Sequence, residues 1–458
     1  MYSLDDTIAA ISTPVGEGGI GIVRLTGPQA CGILRRIFVW AANPASKELD
    51  PRVLHYGHIV DPTTGQAVDE VLAVHMPAPK TYTRQHMVEI QGHGGIVALR
   101  RVLSLCLRQG ARLAEPGEFT ARAFLNGRLD LAQAEAVLDV VQARTEVSLQ
   151  AALGQLTGRL SDEVSAIRAT LLEALAYLEA SLDFAEDEIP AREIGPDMAQ
   201  AIISLSRLLE EAERGIIYRQ GIRAAIIGRP NVGKSSLLNR LLRTNRAIVT
   251  HIPGTTRDTL EETVNLQGVP VVLVDTAGIT DQSEDIIERL GIERSRAALA
   301  RSDLALLVVD ASQPPTEADR TIASMVDGKR SVLVLNKIDL PGAVDRDIAS
   351  LLHAPSVPVS ALTGEGLEDL EETLLDAVFS GRVVAAEPPM VTSPRHKEAL
   401  SRALDHAQMA HAAYRMGQLS DLIAIDLSAA VTALGEITGQ TASEDLTELI
   451  FSRFCVGK

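Results

Sequence analysis

The chain has 458 residues, more than one ordinary domain holds and enough for about three. Its residues are 46% hydrophobic but only 3% aromatic, a balance that favours helices and parallel strands over an all-β sandwich. A formal charge of −17 speaks against a protein that grips nucleic acid through its overall charge, so any such grip must be local or come from a partner.

The first ten residues carry Asp5 and Asp6 and no basic stretch, so no signal peptide is expected there. No uninterrupted apolar run is long enough to span a bilayer, and a cytoplasmic location without membrane association is expected. Residues 1–118 read as a mixed α+β domain. Ile20 to Leu25 is a short apolar strand with Arg24 inside it, and residues 28–38 have helical spacing. Val53 to Val60 and Val68 to Met76 flank the turn Asp61-Pro62-Thr63-Thr64-Gly65 and predict a hairpin. Met87 to Gln91 is another strand, followed by Gly92-His93-Gly94-Gly95 and a helix from Ile96 to Arg108.

Glu115-Pro116-Gly117 breaks the chain, and residues 119–220 are helical almost throughout. Leu129, Ala132, Ala136, Val137 and Val140 share one helix face. Residues 221–383 change character. The apolar strands Arg223 to Gly228, Val271 to Asp275, Leu304 to Asp310, Ser331 to Asn336 and Ala354 to Val359 alternate with helices, as in a doubly wound parallel sheet. Residues 384–458 return to helix. They offer a thin core alone, so the spacing favours one helical bundle split by an inserted domain. The fold class is therefore multidomain α/β: an N-terminal α+β domain, then a split helical domain around a doubly wound unit.

Gly228-Arg229-Pro230-Asn231-Val232-Gly233-Lys234-Ser235 fits G-x-x-x-x-G-K-S, between a strand and a helix. Its glycines let backbone N–H groups wrap a β-phosphate. Lys234 reaches the β- and γ-phosphates, and the Ser235 hydroxyl ligates Mg²⁺. Asp275-Thr276-Ala277-Gly278 ends an apolar strand; Asp275 would hold the Mg²⁺ shell and the Gly278 N–H would meet the γ-phosphate. Asn336-Lys337-Ile338-Asp339 ends another, and Asp339 can accept from guanine N1–H and N2–H₂ together, which adenine lacks. Ser360-Ala361 can place an N–H near guanine O6. Between the first two motifs, a threonine of Gly254-Thr255-Thr256-Arg257-Asp258 can ligate Mg²⁺ only beside a γ-phosphate, which makes the segment a switch. The residue after Gly278 is Ile279, which cannot polarise water as a glutamine would there. Asn231 and the Thr250 to Thr255 loop offer oxygens for a monovalent cation that neutralises developing charge. Arg257 is the rival candidate, although the neighbouring Asp258 suggests a structural ion pair.

Motifs in both flanks carry a further signal: Asp6-Thr7-Ile8-Ala9-Ala10 with Gly18-Gly19-Ile20-Gly21-Ile22-Val23-Arg24, Glu89-Ile90-Gln91-Gly92-His93-Gly94-Gly95, and Pro116-Gly117-Glu118-Phe119. Phe124-Leu125-Asn126-Gly127-Arg128-Leu129-Asp130-Leu131 and the terminal Phe454-Cys455-Val456-Gly457-Lys458 complete it. End to end, the chain resembles the bacterial MnmE (TrmE) family of tRNA-modification GTPases, among the TrmE-Era-EngA-like P-loop GTPases.

The resemblance implies a homodimer that forms a heterotetramer with an FAD-containing MnmG (GidA)-type partner, FAD entering only through that partner. The pair acts at C5 of the wobble uridine (U34) of certain tRNAs. A 5,10-methylene- or 5-formyl-tetrahydrofolate is the implied cofactor of a folate-binding-like N-terminal domain. GTP, K⁺ and Mg²⁺ are implied for the inserted domain. The implied GTP set is Asn231, Val232, Gly233, Lys234, Ser235, Ser236, Thr250, His251, Ile252, Pro253, Gly254, Thr255, Thr256, Asp275, Thr276, Ala277, Gly278, Asn336, Lys337, Asp339, Ser360 and Ala361. Ser235 and Thr256 fall on Mg²⁺. Asn231, Thr250, Ile252 and Thr255 fall on K⁺, Ile252 through its carbonyl. Glu288 falls on the residue that orients the catalytic water, with Asn231 the second catalytic candidate. Arg24, Glu89, Arg128 and Lys458 fall on folate-contacting positions; Arg128 stands where many relatives have lysine. Cys455 is either a thiol for C6 attack or a small residue in a packed tail, while Cys31 and Cys106 are expected in the core. His93 is either structural or functional. The competing function is a regulatory or ribosome-assembly GTPase.

Overall fold

The computed structural model describes residues 4–14, 16–42, 49–183, 190, 192–245, 261–275, 296–326, 328–341, 352–379 and 389–457. The first elements are β1 (Ile8–Ile11), β2 (Gly21–Thr26), α1 (Ala30–Ile37), β3 (Phe38–Trp40), β4 (His55–Val60) and β5 (Ala67–Met76). β6 (Met87–Gly92), α2 (Ile96–Arg108) and β7 (Arg112–Leu113) complete the N-terminal unit. Its seven strands run in the order β3-β4-β5-β6-β2-β1-β7. Period-two alternation sorts the side chains. Val23 and Leu25 of β2 and Val88 and Ile90 of β6 pack with Ile33, Leu34, Leu99 and Val102 of the two helices. Arg24 and Glu89, between them in sequence and paired across the strands, take the opposite face. The predicted helix at 28–38 stops at Ile37, where the chain turns into the short edge strand β3.

α3 (Glu118–Leu125) joins this sheet to the helical region. Phe119 packs with Ile8, Ala10 and Met87, whereas Ala121 packs with Leu131, Phe451 and Phe454. Its charged face is fully buried. Arg122 donates to Glu118 at 2.9 Å and Asp6 at 2.5 Å, and Arg112 donates to Glu118 at 2.5 Å. Buried charges persist only when paired in this way.

The chain continues through α4 (Leu131–Gln142), α5 (Glu146–Leu156), α6 (Arg159–Asp183) and α7 (Gly195–Gln220). Asp130 and Thr145 begin α4 and α5 with capping boxes. Gly221, at φ 73°, ends α7 and opens the inserted unit. That unit holds β8 (Ile222–Ile227), α8 (Lys234–Asn245), β9 (Glu261–Leu266), β10 (Val269–Asp275) and β11 (Leu304–Asp310). It continues with α9 (Glu317–Met325), β12 (Ser331–Asn336), β13 (Ser356–Val359) and α10 (Leu367–Phe379). The sheet order is β13-β12-β11-β8-β10-β9. It is parallel except for β9, which runs antiparallel to β10, so the doubly wound sheet carries one reversed edge. The turn at Gln267 and Gly268, with φ 47° and 96°, has the left-handed pair that tight hairpins require.

α11 (Pro394–Arg415), α12 (Ser420–Thr438) and α13 (Glu444–Phe451) close the chain. Leu160, Leu171 and Leu205 from before the insertion share one apolar core with Leu400, Leu427 and Leu434 from after it. The helical domain is therefore a single bundle interrupted by the α/β unit.

Candidate nucleotide site and N-terminal residue group

The strand β8 delivers the chain into the loop at Gly228 to Ser235. Gly228, Asn231 and Gly233 have φ of 152°, 64° and 99°, which curls the loop tightly before α8 begins at Lys234. A Cβ on Gly228 would collide with the Val308 carbonyl, and one on Gly233 with the Asn336 amide. Backbone donors at a helix N-terminus suit phosphate. The Lys234 ammonium bends back over the loop, donating to the carbonyls of Gly228 and Arg229 at 2.8 Å each. Val232 is buried, while Asn231, Ser235 and Ser236 are exposed. The loop so built fits the phosphates of a nucleoside triphosphate.

Asn336 is buried at the end of β12. Its Nδ2 donates to the Val232 carbonyl at 2.8 Å, and its Oδ1 accepts from the Ala361 N–H at 3.0 Å. One side chain thus fastens the phosphate loop to the segment after β13. Asp339 is exposed, and the buried Ser360 donates its hydroxyl to Asp339 Oδ1 at 2.6 Å. Arg240 of α8 donates to the Thr363 carbonyl at 2.6 Å, a second tie from the phosphate helix to the same loop. Lys337 has φ 71° and pairs with Asp310 at 2.7 Å. Burial pushes the Asp310 carboxyl up, but Lys337 and the Ser312 donors outweigh it and hold it below the ordinary range. Arg229 reaches Asp319 at 3.3 Å and Gln313 at 3.1 Å, bracing the loop against α9.

Asp275 closes β10 opposite Ile226, one residue before β8 ends. Thr250, His251, Ile252, Pro253, Gly254, Thr255, Thr256, Arg257, Asp258, Thr276, Ala277, Gly278, Ile279, Glu288 and Lys458 lie outside the described residues. Sequence reasoning missed Arg229, Arg240 and Asp310 as supports. Asp310 had a signal, because it ends a strand at the carboxyl edge of the sheet, where ligands bind.

A second group of predicted residues converges on the N-terminal sheet. Arg24 donates to Glu89 through Nη2 at 2.7 Å and Nε at 3.0 Å, and its guanidinium lies 6.0 Å from the Phe119 ring. The Arg128 guanidinium lies 4.6 Å from the centre of the Tyr82 ring. Tyr82 shares a 2.9 Å hydrogen bond with the Thr120 hydroxyl. Burial raises the Tyr82 hydroxyl pKa, and both Arg128 and Arg24 oppose that shift. The C-terminal tail approaches this domain: Val456 bridges Pro116, and Gly117 donates to the Cys455 carbonyl at 3.4 Å. Phe454 is buried but the Cys455 side chain is exposed, so the tail packs around its thiol rather than over it. Cys106 is core, its thiol pushed up to about 12 by burial, and Cys31 is half-buried with its pKa raised for the same reason.

His93 takes the other side of the sheet. Its Nδ1 lies 2.7 Å from Asp69 Oδ1 and its N–H donates to Asp69 Oδ2 at 2.9 Å. Asp69 lies two residues before Val71 and shares its face, the one that packs on the helices, so this pair lies away from Arg24 and Glu89. The contact with Asp69 raises the pKa of the exposed imidazole.

Among the described residues, no helix is long and apolar enough to cross a membrane. Residues 7–128 match the family described as GTP-binding protein TrmE N-terminus, and residues 131–455 match the family described as MnmE helical domain. The chain is 52% identical to the tRNA modification GTPase MnmE of Roseiflexus sp. (strain RS-1), over 99% of both chains. It is 51% identical to that of Roseiflexus castenholzii over 100% of both, and 48% identical to that of Thermoanaerobacter sp. (strain X514) over 99% of both. With its glycine-rich loop and its split bundle in place, the chain belongs to the MnmE (TrmE) family of tRNA-modification GTPases.

Proposed function

We propose that this chain hydrolyses GTP and couples hydrolysis to modification of tRNA. With an FAD-dependent MnmG-type partner, it installs the carboxymethylaminomethyl or aminomethyl group at C5 of the wobble uridine. The observation that carries the GTPase reading is the double attachment of Asn336, which binds the phosphate loop and the base-selecting loop into one rigid site.

Each residue has a task in that site. Lys234 releases its loop carbonyls and turns to the β- and γ-phosphates. Asp339, oriented by Ser360, accepts from guanine N1–H and N2–H₂, and the backbone of Ala361 faces O6. Gly278 contacts the γ-phosphate, and Thr276 and Ala277 shape the loop that carries it. Ser235, with Thr256 and the outer-lying Asp275, would hold Mg²⁺. Asn231, Thr250, the Ile252 carbonyl and Thr255 would hold K⁺, with His251, Pro253 and Gly254 completing that loop. These cations supply positive charge where the bridging oxygen becomes negative. Glu288 orients the attacking water in place of the missing glutamine. Closure of two such domains in a homodimer completes the site and drives the conformational cycle.

The N-terminal group is the proposed tetrahydrofolate site. Its half-buried Tyr82 ring offers apolar surface, while Arg24, Glu89, Arg128 and Lys458 offer charge to a pterin and its glutamate tail. The exposed Cys455 lies on the tail that borders this domain and remains the candidate thiol. The direct test of the hydrolytic reading is the GTPase rate in K⁺ against Na⁺ at equal ionic strength. A clear excess in K⁺ is expected. Equal rates would remove the cation mechanism and return the role to Arg257.

A further inference from the structure

The hairpin β9–β10 belongs to the nucleotide unit, yet the helical bundle holds its tip. Thr145 Oγ1 donates to the Gly268 carbonyl at 2.8 Å, and Arg144 donates to Thr263 Oγ1 at 3.1 Å. Thr145 and Thr263 are both buried. Val147 packs so closely on the turn that a Cβ at Gly268 would lie 2.5 Å from it. β9 is the edge strand of the sheet.

The hydroxyl proton of Thr145 has two acceptors in reach, the Gly268 carbonyl at 2.8 Å and Ser148 Oγ at 2.9 Å. Thr145 Oγ1 accepts from the Ser148 N–H as the cap of α5. Ser148 Oγ accepts from the Thr145 N–H and donates to the Thr145 carbonyl. Ser148 Oγ already accepts one proton and donates its own, so the shorter contact gives the Thr145 proton to Gly268. A single side chain caps a helix of the bundle and grips a turn of the nucleotide unit.

The far end of α5 is fastened as firmly. Gln155 is buried, lies 3.2 Å from His396 Nδ1 through its Nε2 and accepts from the Thr392 hydroxyl at 3.1 Å. His396 in turn meets Glu135 of α4 at 2.7 Å. α5 is therefore a rod of about 16 Å between the hairpin turn and the buried polar centre of the bundle. In sequence, two residues separate the Gly254 to Asp258 segment from β9, and β10 ends on Asp275, where the next motif begins. A shift of either strand along its length moves Gly268.

We propose that Thr145, with Arg144 and Val147, is a positioning clasp through which the bundle reads the nucleotide state of the inserted domain. It rests on the GTPase reading but not on the tRNA chemistry. The test is hydrogen–deuterium exchange across residues 146–156 of the full-length chain, with GDP and with a non-hydrolysable GTP analogue. In the parent chain, exchange of α5 is expected to differ between the two states. The difference is about two- to tenfold, the worth of one net hydrogen bond in a local opening equilibrium. Thr145→Ser keeps both the cap and the donor and should respond like the parent. Thr145→Asp keeps a capping acceptor but has no proton for Gly268, and should lose the nucleotide response while binding nucleotide as before. Thr263→Val, which removes the Arg144 acceptor from the other side, should weaken the response in a chain whose α5 sequence is untouched. A purely structural contact would lower the melting temperature in these variants and leave the response intact, which would overturn the clasp. So would a parent chain that binds the analogue with no change at α5. A parent that fails to bind either nucleotide would sink the GTPase reading and the clasp together.

Discussion

Asn336→Ala is the substitution that loads most on one side chain. The amide gives one hydrogen bond to the Val232 carbonyl and takes one from the Ala361 N–H, and Asn336 is buried. Truncation leaves both backbone groups without that partner. Each such loss costs about 1–3 kcal/mol, so about 2–6 kcal/mol is at stake. Part falls on folding of the inserted domain and part on nucleotide affinity, because the phosphate loop and the base loop are no longer held at a fixed separation. Even about 2 kcal/mol expressed in binding is about a thirtyfold loss. Titration with a fluorescent GDP reads the affinity, and a thermal melt of the full chain reads the folding share. The N-terminal unit should melt as before, since its core contains no residue of the inserted domain. An affinity within about twofold of the parent, with an unchanged melt, would refute Asn336 as the fastener.

Other outcomes follow from the same contacts. Asp339→Asn should weaken GTP binding by about 10²-fold or more and raise the affinity for xanthosine triphosphate, whose C2 oxygen needs a donor; competition binding checks this. Gly233→Ala places a Cβ on the Asn336 amide at a φ of 99°, and should abolish nucleotide binding in the same titration. Arg128→Met keeps bulk over Tyr82 but removes the charge, and should weaken tetrahydrofolate binding about three- to thirtyfold by calorimetry. The bundle should be acid-labile. Desolvation holds the fully buried His396 imidazole below its ordinary 6.5, so the unfolded chain takes up a proton that the folded chain refuses. Burial pushes the Glu135 carboxyl up, but His396 and Arg395 outweigh it and hold it well below 4.5. Stability from His396 is present above pH 6.5 and lost as the pH falls below it. Stability from Glu135 is present above 4.5 and lost on further acidification. Chemical denaturation between pH 7 and about 3 should show the first loss and the onset of the second, and His396→Gln should flatten the upper one.

Much of the fold was readable because apolar pattern and burial coincide. The helix from Ile96 to Arg108 and the strands from Leu304 to Asp310 and Ser331 to Asn336 are long apolar runs or clean amphipathic stripes, and they form as expected. The interrupted bundle was readable from the thinness of its last portion. β3 was not, because Phe38 to Trp40 continues an apolar stretch without a breaker after Ile37. β9 was not, because Glu261, Glu262, Thr263 and Asn265 dilute its apolar character. Its signal was the alternation of Val264 and Leu266 before Gln267-Gly268 and Val269. The loop at Gly228 to Ser235 and the strand ends at Asn336 and Val359 were legible because they follow local residue patterns at short spacing. The ties between them were not: Asn336 to Val232 and Arg240 to Thr363 join residues over a hundred positions apart, and no local pattern announces such a pair. His93 shows the same limit, since its side of the sheet is set by Asp69 on a different strand.

The central claim is that this GTPase serves tRNA wobble-uridine modification. Mass spectrometry of nucleosides from the tRNA of a strain lacking this chain tests it most directly. The account predicts that C5-aminomethyl-type modifications of wobble uridine disappear and return when the chain is restored. Unchanged wobble uridines in the deletion strain would contradict it.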